Sequence, residues 1–205
     1  MVKVKVCGIT SFKDALAAVA AGADALGFVF YRKSPRYITP VRAQGITQLI
    51  PERIMKVGVF VNAPHERVKK IARQCGLDML QLHGEESPAY CGSFKGYKVI
   101  KAFRMRPGSD TSALSRYRTY AWLFDSFDRS RRGGTGRAFD WKLLRSLKPG
   151  RRVFLSGGLN PANVGRAVRL IKPAWVDVSS SVESAPGKKD YGKLKKFIRS
   201  AKQKG

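Results

Sequence analysis

Two stretches late in the chain have the residue types of a phosphate site. In LSGGLNP (155–161), Gly157 and Gly158 let the backbone come close to a ligand. Asn160 and Pro161 then open a helix whose free N–H groups favour an anion. DVSSSVE (177–183) adds the hydroxyls of Ser179 and Ser180 and further N–H groups. Other polar or reactive residues share one trait with these: each stands at the C-terminal end of a short apolar run. Cys7 follows VKVKV, Arg36 lies in YRKSPRYI after ALGFVF, Asn62 follows KVGVFV, His83 ends MLQLH, and Asp125 ends YAWLFD. Each alone says little. A free cysteine in a strand is usually a small hydrophobe, and an aspartate after a strand often caps a turn. Their common position is the informative feature.

The elements that must position these residues alternate. Eight β-rich runs recur: VKVKV (2–6), ALGFVF (25–30), KVGVFV (56–61), MLQLH (79–83), YKVIKAF (97–103), YAWLFD (120–125), RVFLS (152–156) and WVDVS (175–179). Stretches of helical composition lie between them. SFKDALAAVAAG has a Ser11 cap and a Gly22 stop, and PHERVKKIARQCG runs from Pro64 to Gly76. NPANVGRAVRLIKP has Asn160 as its cap and Pro161 at the first helical position. DYGKLKKFIRSAK closes the chain. Alternation of this kind implies parallel strands joined by right-handed crossovers. Eight units predict an α/β protein of the (β/α)₈ barrel class, with a doubly wound open sheet as the competitor. No linker divides residues 1–205, so one barrel domain is expected. A barrel would gather the strand-end residues on its C-terminal face, where such enzymes keep their active sites, and phosphate often binds after strands 7 and 8. RRGGTGRAFDW (131–141) lacks a P-loop pattern. It reads equally as a lid over the site or as a surface turn, with Asp140 able to cap the next helix.

Composition narrows the classes. Forty Lys and Arg against fourteen Asp and Glu give a net charge of +26. Residues 1–100 hold 15 basic and 7 acidic residues, net +8, and residues 101–205 hold 25 and 7, net +18. Such a field attracts nucleic acid non-specifically whatever the fold. No RRM, KH or zinc-finger signature accompanies it, so it is read as a basic exterior. Three widely spaced cysteines and two histidines argue against a disulfide framework or a structural zinc site. No run approaches a membrane span, and Lys3, Lys5 and Lys13 interrupt any signal-peptide core. Free thiols and these absences suggest a cytoplasmic protein with no membrane partner.

VCGIT, GFVFYRKSPRYI, VGVFVN, QLHGEE, GGTGRAFDW, LSGGLNPANV, DVSSSVE and PGKKD, in this order, resemble the phosphoribosylanthranilate isomerase family of tryptophan biosynthesis. The likeness covers nearly the whole chain, and the family fold is a (β/α)₈ barrel. It implies an Amadori rearrangement of N-(5-phosphoribosyl)anthranilate, a small-molecule phosphosugar substrate, to 1-(2-carboxyphenylamino)-1-deoxyribulose 5-phosphate. No cofactor or metal is implied. Matched by position, Cys7 is the general base, Asp125 the general acid and Arg36 the binder of the anthranilate carboxylate. Gly157, Gly158, Ser179 and Ser180 would hold the phosphate, with Gln81, His83 and Ser181 as candidate lining. Apolar neighbours of Asp125 in sequence (Ala121, Trp122, Leu123 and Phe124) would help keep its carboxyl protonated. The histidine-pathway isomerase resembles this fold too, but uses paired aspartates where this chain has Cys7. Ser181 departs from the family's usual Ser-Ser-Gly. A glycine needed there for positive φ or for close phosphate approach would make the serine costly to affinity. Monomer and homodimer both remain open.

A barrel also sorts the first strand. Its valines (Val2, Val4, Val6) would face the helices, and Lys3, Lys5 and Cys7 the closed interior. A buried lysine needs a partner. The eighth strand closes beside the first, so a Lys5–Asp177 ion pair is expected inside the barrel, below Cys7 and Ser179. By the same alternation Gln81 and Lys101 would share the lumen, with His83 at the top.

Overall fold

The computed structural model describes residues 1–105, 111–126 and 152–203. Eight parallel strands close on themselves in sequence order: β1 (Lys3–Cys7), β2 (Ala25–Val29), β3 (Met55–Phe60), β4 (Met79–Leu82), β5 (Lys98–Met105), β6 (Ala121–Ser126), β7 (Arg152–Leu155) and β8 (Trp175–Val178). The open-sheet alternative is thereby excluded. Helices described between strands are α1 (Phe12–Ala20), α2 (Pro40–Thr47), α3 (His65–Gln74), α4 (Pro88–Gly92) and α5 (Val164–Ile171), with α6 (Tyr191–Lys202) after the last strand. A 3-10 turn at Ser180–Val182 and a small antiparallel hairpin, β9 (Glu183–Ala185) and β10 (Lys188–Lys189), follow β8. The stretch 131–141 lies outside the described residues.

Local chemistry explains the helix ends. Ser11 accepts from the Asp14 N–H at 3.1 Å and caps α1. Asp190 does the same for α6 through the Lys193 N–H. Helix α5 starts later than expected, at Val164. Asn160 caps a turn instead: its side-chain oxygen accepts from the N–H groups of Ala162 and Asn163, and its carbonyl from Val164. Those N–H groups are therefore already engaged.

Alternation divides the strands into two cores. Val4, Val6, Leu26, Phe28, Phe60 and Leu80 face the helices, whereas Ala25, Val57, Met79, Ile100, Leu123 and Phe154 fill the barrel. Phe154 stacks on Trp175 at 4.9 Å and plugs the interior. The first strand behaves as its pattern predicts. Lys5 lies opposite Asp177 in the β1–β8 register, and Lys5 Nζ donates to Asp177 Oδ1 at 2.8 Å with the lysine fully buried. Lys101 does not share the lumen. On β5, Ile100 and Ala102 point inward, so Lys101 faces the helix layer, where its Nζ meets Glu86 Oε2 at 2.7 Å and the carbonyls of Leu82 and Gly84. Glu86 also accepts from the N–H groups of Asn62 and Gly84, so this pair pins the loops after β3 and β4.

Among the described acids, Asp14, Glu86, Asp177 and Glu183 are buried. They serve internal partners, three of them the buried lysines Lys5, Lys101 and Lys189, so burial leaves the exterior about as basic as the sequence total. Among the described residues, no helix is long and apolar enough to cross a membrane.

Candidate active site

A cavity of about 240 Å³ opens at the C-terminal ends of the strands. Cys7, Arg36, Gln81, His83 and Asp125 all line it, as do Gly157, Gly158, Ser179, Ser180 and Ser181. Ten of the residues named from the sequence thus reach one space; Asn62 does not, and instead accepts from the Glu85 N–H and donates its own N–H to Glu86. Asp177 and Ser156 line the cavity as well. Among the described residues, no three His, Cys, Asp or Glu side chains are grouped to hold a metal ion.

Cys7 ends β1 directly above the Lys5–Asp177 pair. Burial pushes its thiol up, the Lys5 ammonium pulls it back, and the net direction is above the ordinary range. For Lys5, burial alone would lower the pKa; Asp177 and Cys7 beside it outweigh that and leave it raised. Gly8, at φ 79°, follows Cys7, and a Cβ placed there would stand 2.6 Å from Arg36 Cδ. The bare backbone is what lets the arginine stem cross over β1.

Asp125 points inward from β6, with Ala121 and Leu123 beneath it in the lumen. Trp122 and Phe124 belong to the outer core, so two of its four apolar sequence neighbours lie on the other side of the sheet. The Asp125 side chain is 30 % exposed, and its Oδ2 lies 3.4 Å from His83 Nε2. The other ring nitrogen of His83 is 2.8 Å from the Gln81 amide nitrogen. Gln81 and His83 share a face because they are two apart on one strand.

Two of the residues lining this cavity carry a buried polar atom with no hydrogen-bond partner among the described residues: Gln81 Oε1 and Ser179 Oγ. An unpaired buried polar atom costs about 1–3 kcal/mol. Gly157 and Gly158 adopt φ 78° and 64°, turning the loop after β7 back beside Ser179 and Ser180.

A family model described as N-(5'phosphoribosyl)anthranilate (PRA) isomerase matches residues 4–200. The chain belongs to this family. It is an isomerase of the aldose–ketose class, of tryptophan biosynthesis. An isomerase of the same name from Citrifermentans bemidjiense is 51% identical over 203 residues, covering 99% of this chain and 98% of its own. The crystal structure of phosphoribosyl anthranilate isomerase from Thermotoga maritima superposes with a TM-score of 0.90 at 44% identity, over 98% of this chain and 99% of that one. A second family structure holds reduced 1-(o-carboxyphenylamino)-1-deoxyribulose 5-phosphate; it has a TM-score of 0.87 and 43% identity, with 98% of this chain and 99% of that one covered.

The family's usual glycine is Ser181 in this isomerase, and the backbone there is unstrained. The non-glycine residues with positive φ among those described are Asn62 and Lys172. The cost expected from a left-handed serine is therefore absent. Instead, the Ser181 hydroxyl donates to the Leu159 carbonyl and ties the loop after β8 to the loop after β7. Removing it with Ser181→Gly is expected to raise KM about two- to tenfold, the worth of one hydrogen bond, with kcat little changed. Steady-state kinetics check this; a lower KM would mean that the serine Cβ obstructs the phosphate.

Sequence reasoning passed over Glu183 and Lys189. Both sit in quoted motifs, DVSSSVE and PGKKD, but a charged residue in a loop is ordinarily solvated. Only the hairpin shows them buried and facing each other.

Proposed function

We propose that this chain converts N-(5-phosphoribosyl)anthranilate into 1-(2-carboxyphenylamino)-1-deoxyribulose 5-phosphate, with Asp125 as general acid and Cys7 as general base. The observation that carries the reading is the convergence of the candidate catalytic, carboxylate-binding and phosphate-binding residues, with Gln81, His83 and Ser181, from six strand ends on one cavity. The substrate is anionic at both ends. Its carboxylate suits the guanidinium of Arg36, and its phosphate suits the backbone and hydroxyls of Gly157, Gly158, Ser179 and Ser180. Between them, β1 and β6 stand three strands apart around the closed barrel, so Cys7 and Asp125 approach the sugar from different sides.

The steps follow from that placement. Asp125 gives its proton to the furanose oxygen as the C1–O bond breaks, leaving a Schiff base. Cys7 then removes the C2 proton to form an enol-amine, which becomes the ketone when C1 gains a proton and the C2 hydroxyl loses one. His83 steadies the Asp125 carboxyl through Nε2. Lys5 favours the thiolate from below. The basic exterior draws a doubly anionic substrate toward the barrel mouth. The three cysteines are free and buried, which fits a reducing cytoplasm.

The direct test is the loss of substrate fluorescence on adding the protein, with the product identified by mass spectrometry. No conversion would refute the assignment. Cys7 also carries a pH prediction. A thiol raised above the ordinary value of about 8.5 is overwhelmingly protonated at neutral pH. Its alkylation by iodoacetamide should be slow at pH 7 and climb about tenfold per pH unit without levelling by about pH 8.5. Peptide mass spectrometry across the pH series checks it; a plateau near neutrality would show a depressed thiol instead.

A further inference from the structure

Arg36 is not a free side chain awaiting a substrate. Its Nε donates to Glu183 Oε1 at 2.9 Å and to Oε2 at 3.1 Å, and its Nη2 donates to Oε2 at 2.6 Å. Glu183 therefore occupies the guanidinium edge formed by Nε and Nη2. The edge formed by Nη1 and Nη2 is the remaining one that can offer two parallel N–H groups, and Arg36 lines the cavity. Glu183 is itself fixed from behind. Lys189, opposite it in the β9–β10 hairpin, donates through Nζ to Glu183 Oε1 at 2.8 Å and to the Cys7 carbonyl at 2.6 Å. Lys193 Nζ donates to the Glu183 carbonyl at 3.1 Å. Both Glu183 and Lys189 are buried.

We propose that Glu183 is a positioning residue that orients Arg36 to receive the substrate's aromatic carboxylate end-on, and so sets selectivity for a carboxylate-bearing aryl amine. This rests on the assignment of the carboxylate to Arg36. Charge supports the arrangement. An isolated Arg36–Glu183 pair would be neutral and would offer an anion little attraction. Lys189 brings the triad to one net positive charge and shares Glu183 without reaching the cavity lining. Burial alone would raise the Glu183 carboxyl; Arg36 and Lys189 outweigh it and hold it below the ordinary range, so Glu183 stays ionised at neutral pH, while burial lowers Lys189 against the pull of Glu183. Because the same hairpin holds Arg36 and the carbonyl of Cys7, it links carboxylate recognition to the placement of the base.

Positioning and plain electrostatics predict opposite results for Glu183→Gln. Removing a negative charge beside Arg36 should tighten carboxylate binding if charge alone matters. It should weaken binding if the fork must be held. The experiment measures inhibition by two ligands: 1-(2-carboxyphenylamino)-1-deoxyribulose 5-phosphate, and the same compound without the carboxylate. Glu183→Gln is expected to weaken the first at least tenfold and to change the second less than twofold. Glu183→Asp keeps the charge but is too short to reach Arg36 side-on; it should show the same selective loss, and serves if the glutamine variant folds poorly. Tighter or unchanged binding of the first ligand, or equal weakening of both, overturns the proposal. Arg36→Ala separates the two layers. If it too leaves the first ligand's affinity unchanged, the carboxylate assignment itself fails; if Arg36→Ala is selective and the Glu183 variants are not, only the positioning role does.

Discussion

Replacing Cys7 with alanine is expected to lower kcat by about a thousandfold while leaving KM little changed, because a general base acts on the transition state and contributes little to ground-state binding. Asp125→Asn should fall in the same range of about 10²–10⁴. The asparagine keeps the shape and the contact with His83, but it has no acidic proton to give the furanose oxygen. The two losses can be told apart. With deuterium at C2 of the substrate, Cys7→Ser should show a full isotope effect, since a poorer base makes C2 proton removal limiting. Asp125→Asn should show almost none, since ring opening limits instead. Equal rates in wild type, Cys7→Ala and Asp125→Asn would defeat the mechanism. The geometry behind the prediction is specific. Both groups point into the same cavity, one above a buried ammonium and the other beside an imidazole.

Lys5→Met is expected to destabilise the protein by about 3–5 kcal/mol, since it leaves Asp177 charged inside the barrel with no cation. A chain of this size should lose roughly 10 °C or more in melting temperature. The paired variant Lys5→Met/Asp177→Leu should recover most of that loss, because a buried ion pair exchanged for apolar groups of similar volume is often neutral. Thermal unfolding of the three proteins tests this. A double variant as unstable as the single one would show that the pair holds the barrel together by more than mutual compensation. Activity should not recover with stability. Lys5 is the main charge pulling the Cys7 thiol down against burial, while Asp177 pushes it up more weakly. Removing both should leave the thiol higher still, so the double variant should be stable and slow. Such a result would mean that the pair persists for the reactivity above it.

Eight apolar runs alternating with capped helical stretches were enough to specify the barrel, because each element carries its own period and its own stop signals. That pattern also placed the reactive residues. In a parallel barrel every strand ends on the same face, so a polar residue after an apolar run can only go to one rim. The Lys5–Asp177 pair was legible for the same reason: strand alternation and closure between first and last strands leave a buried lysine one neighbour of opposite charge. Lys101 marks where this logic stops. Alternation says which residues share a face, but not which face is inward, and YKVIKAF has apolar residues in both sets. Glu86, brought up from the loop after β4, makes the outer position tolerable for an ammonium. Ser181 and Arg36 show the same limit. Whether a serine is strained, or which edge of a guanidinium is already taken, depends on backbone angles and on partners 22 and 147 residues away. The sequence by itself determined the fold, the rim and the chemical types at the rim. Only the tertiary structure decided their hydrogen-bond partners, because those are set by loops and a hairpin whose charged residues read, in one dimension, as solvent-facing.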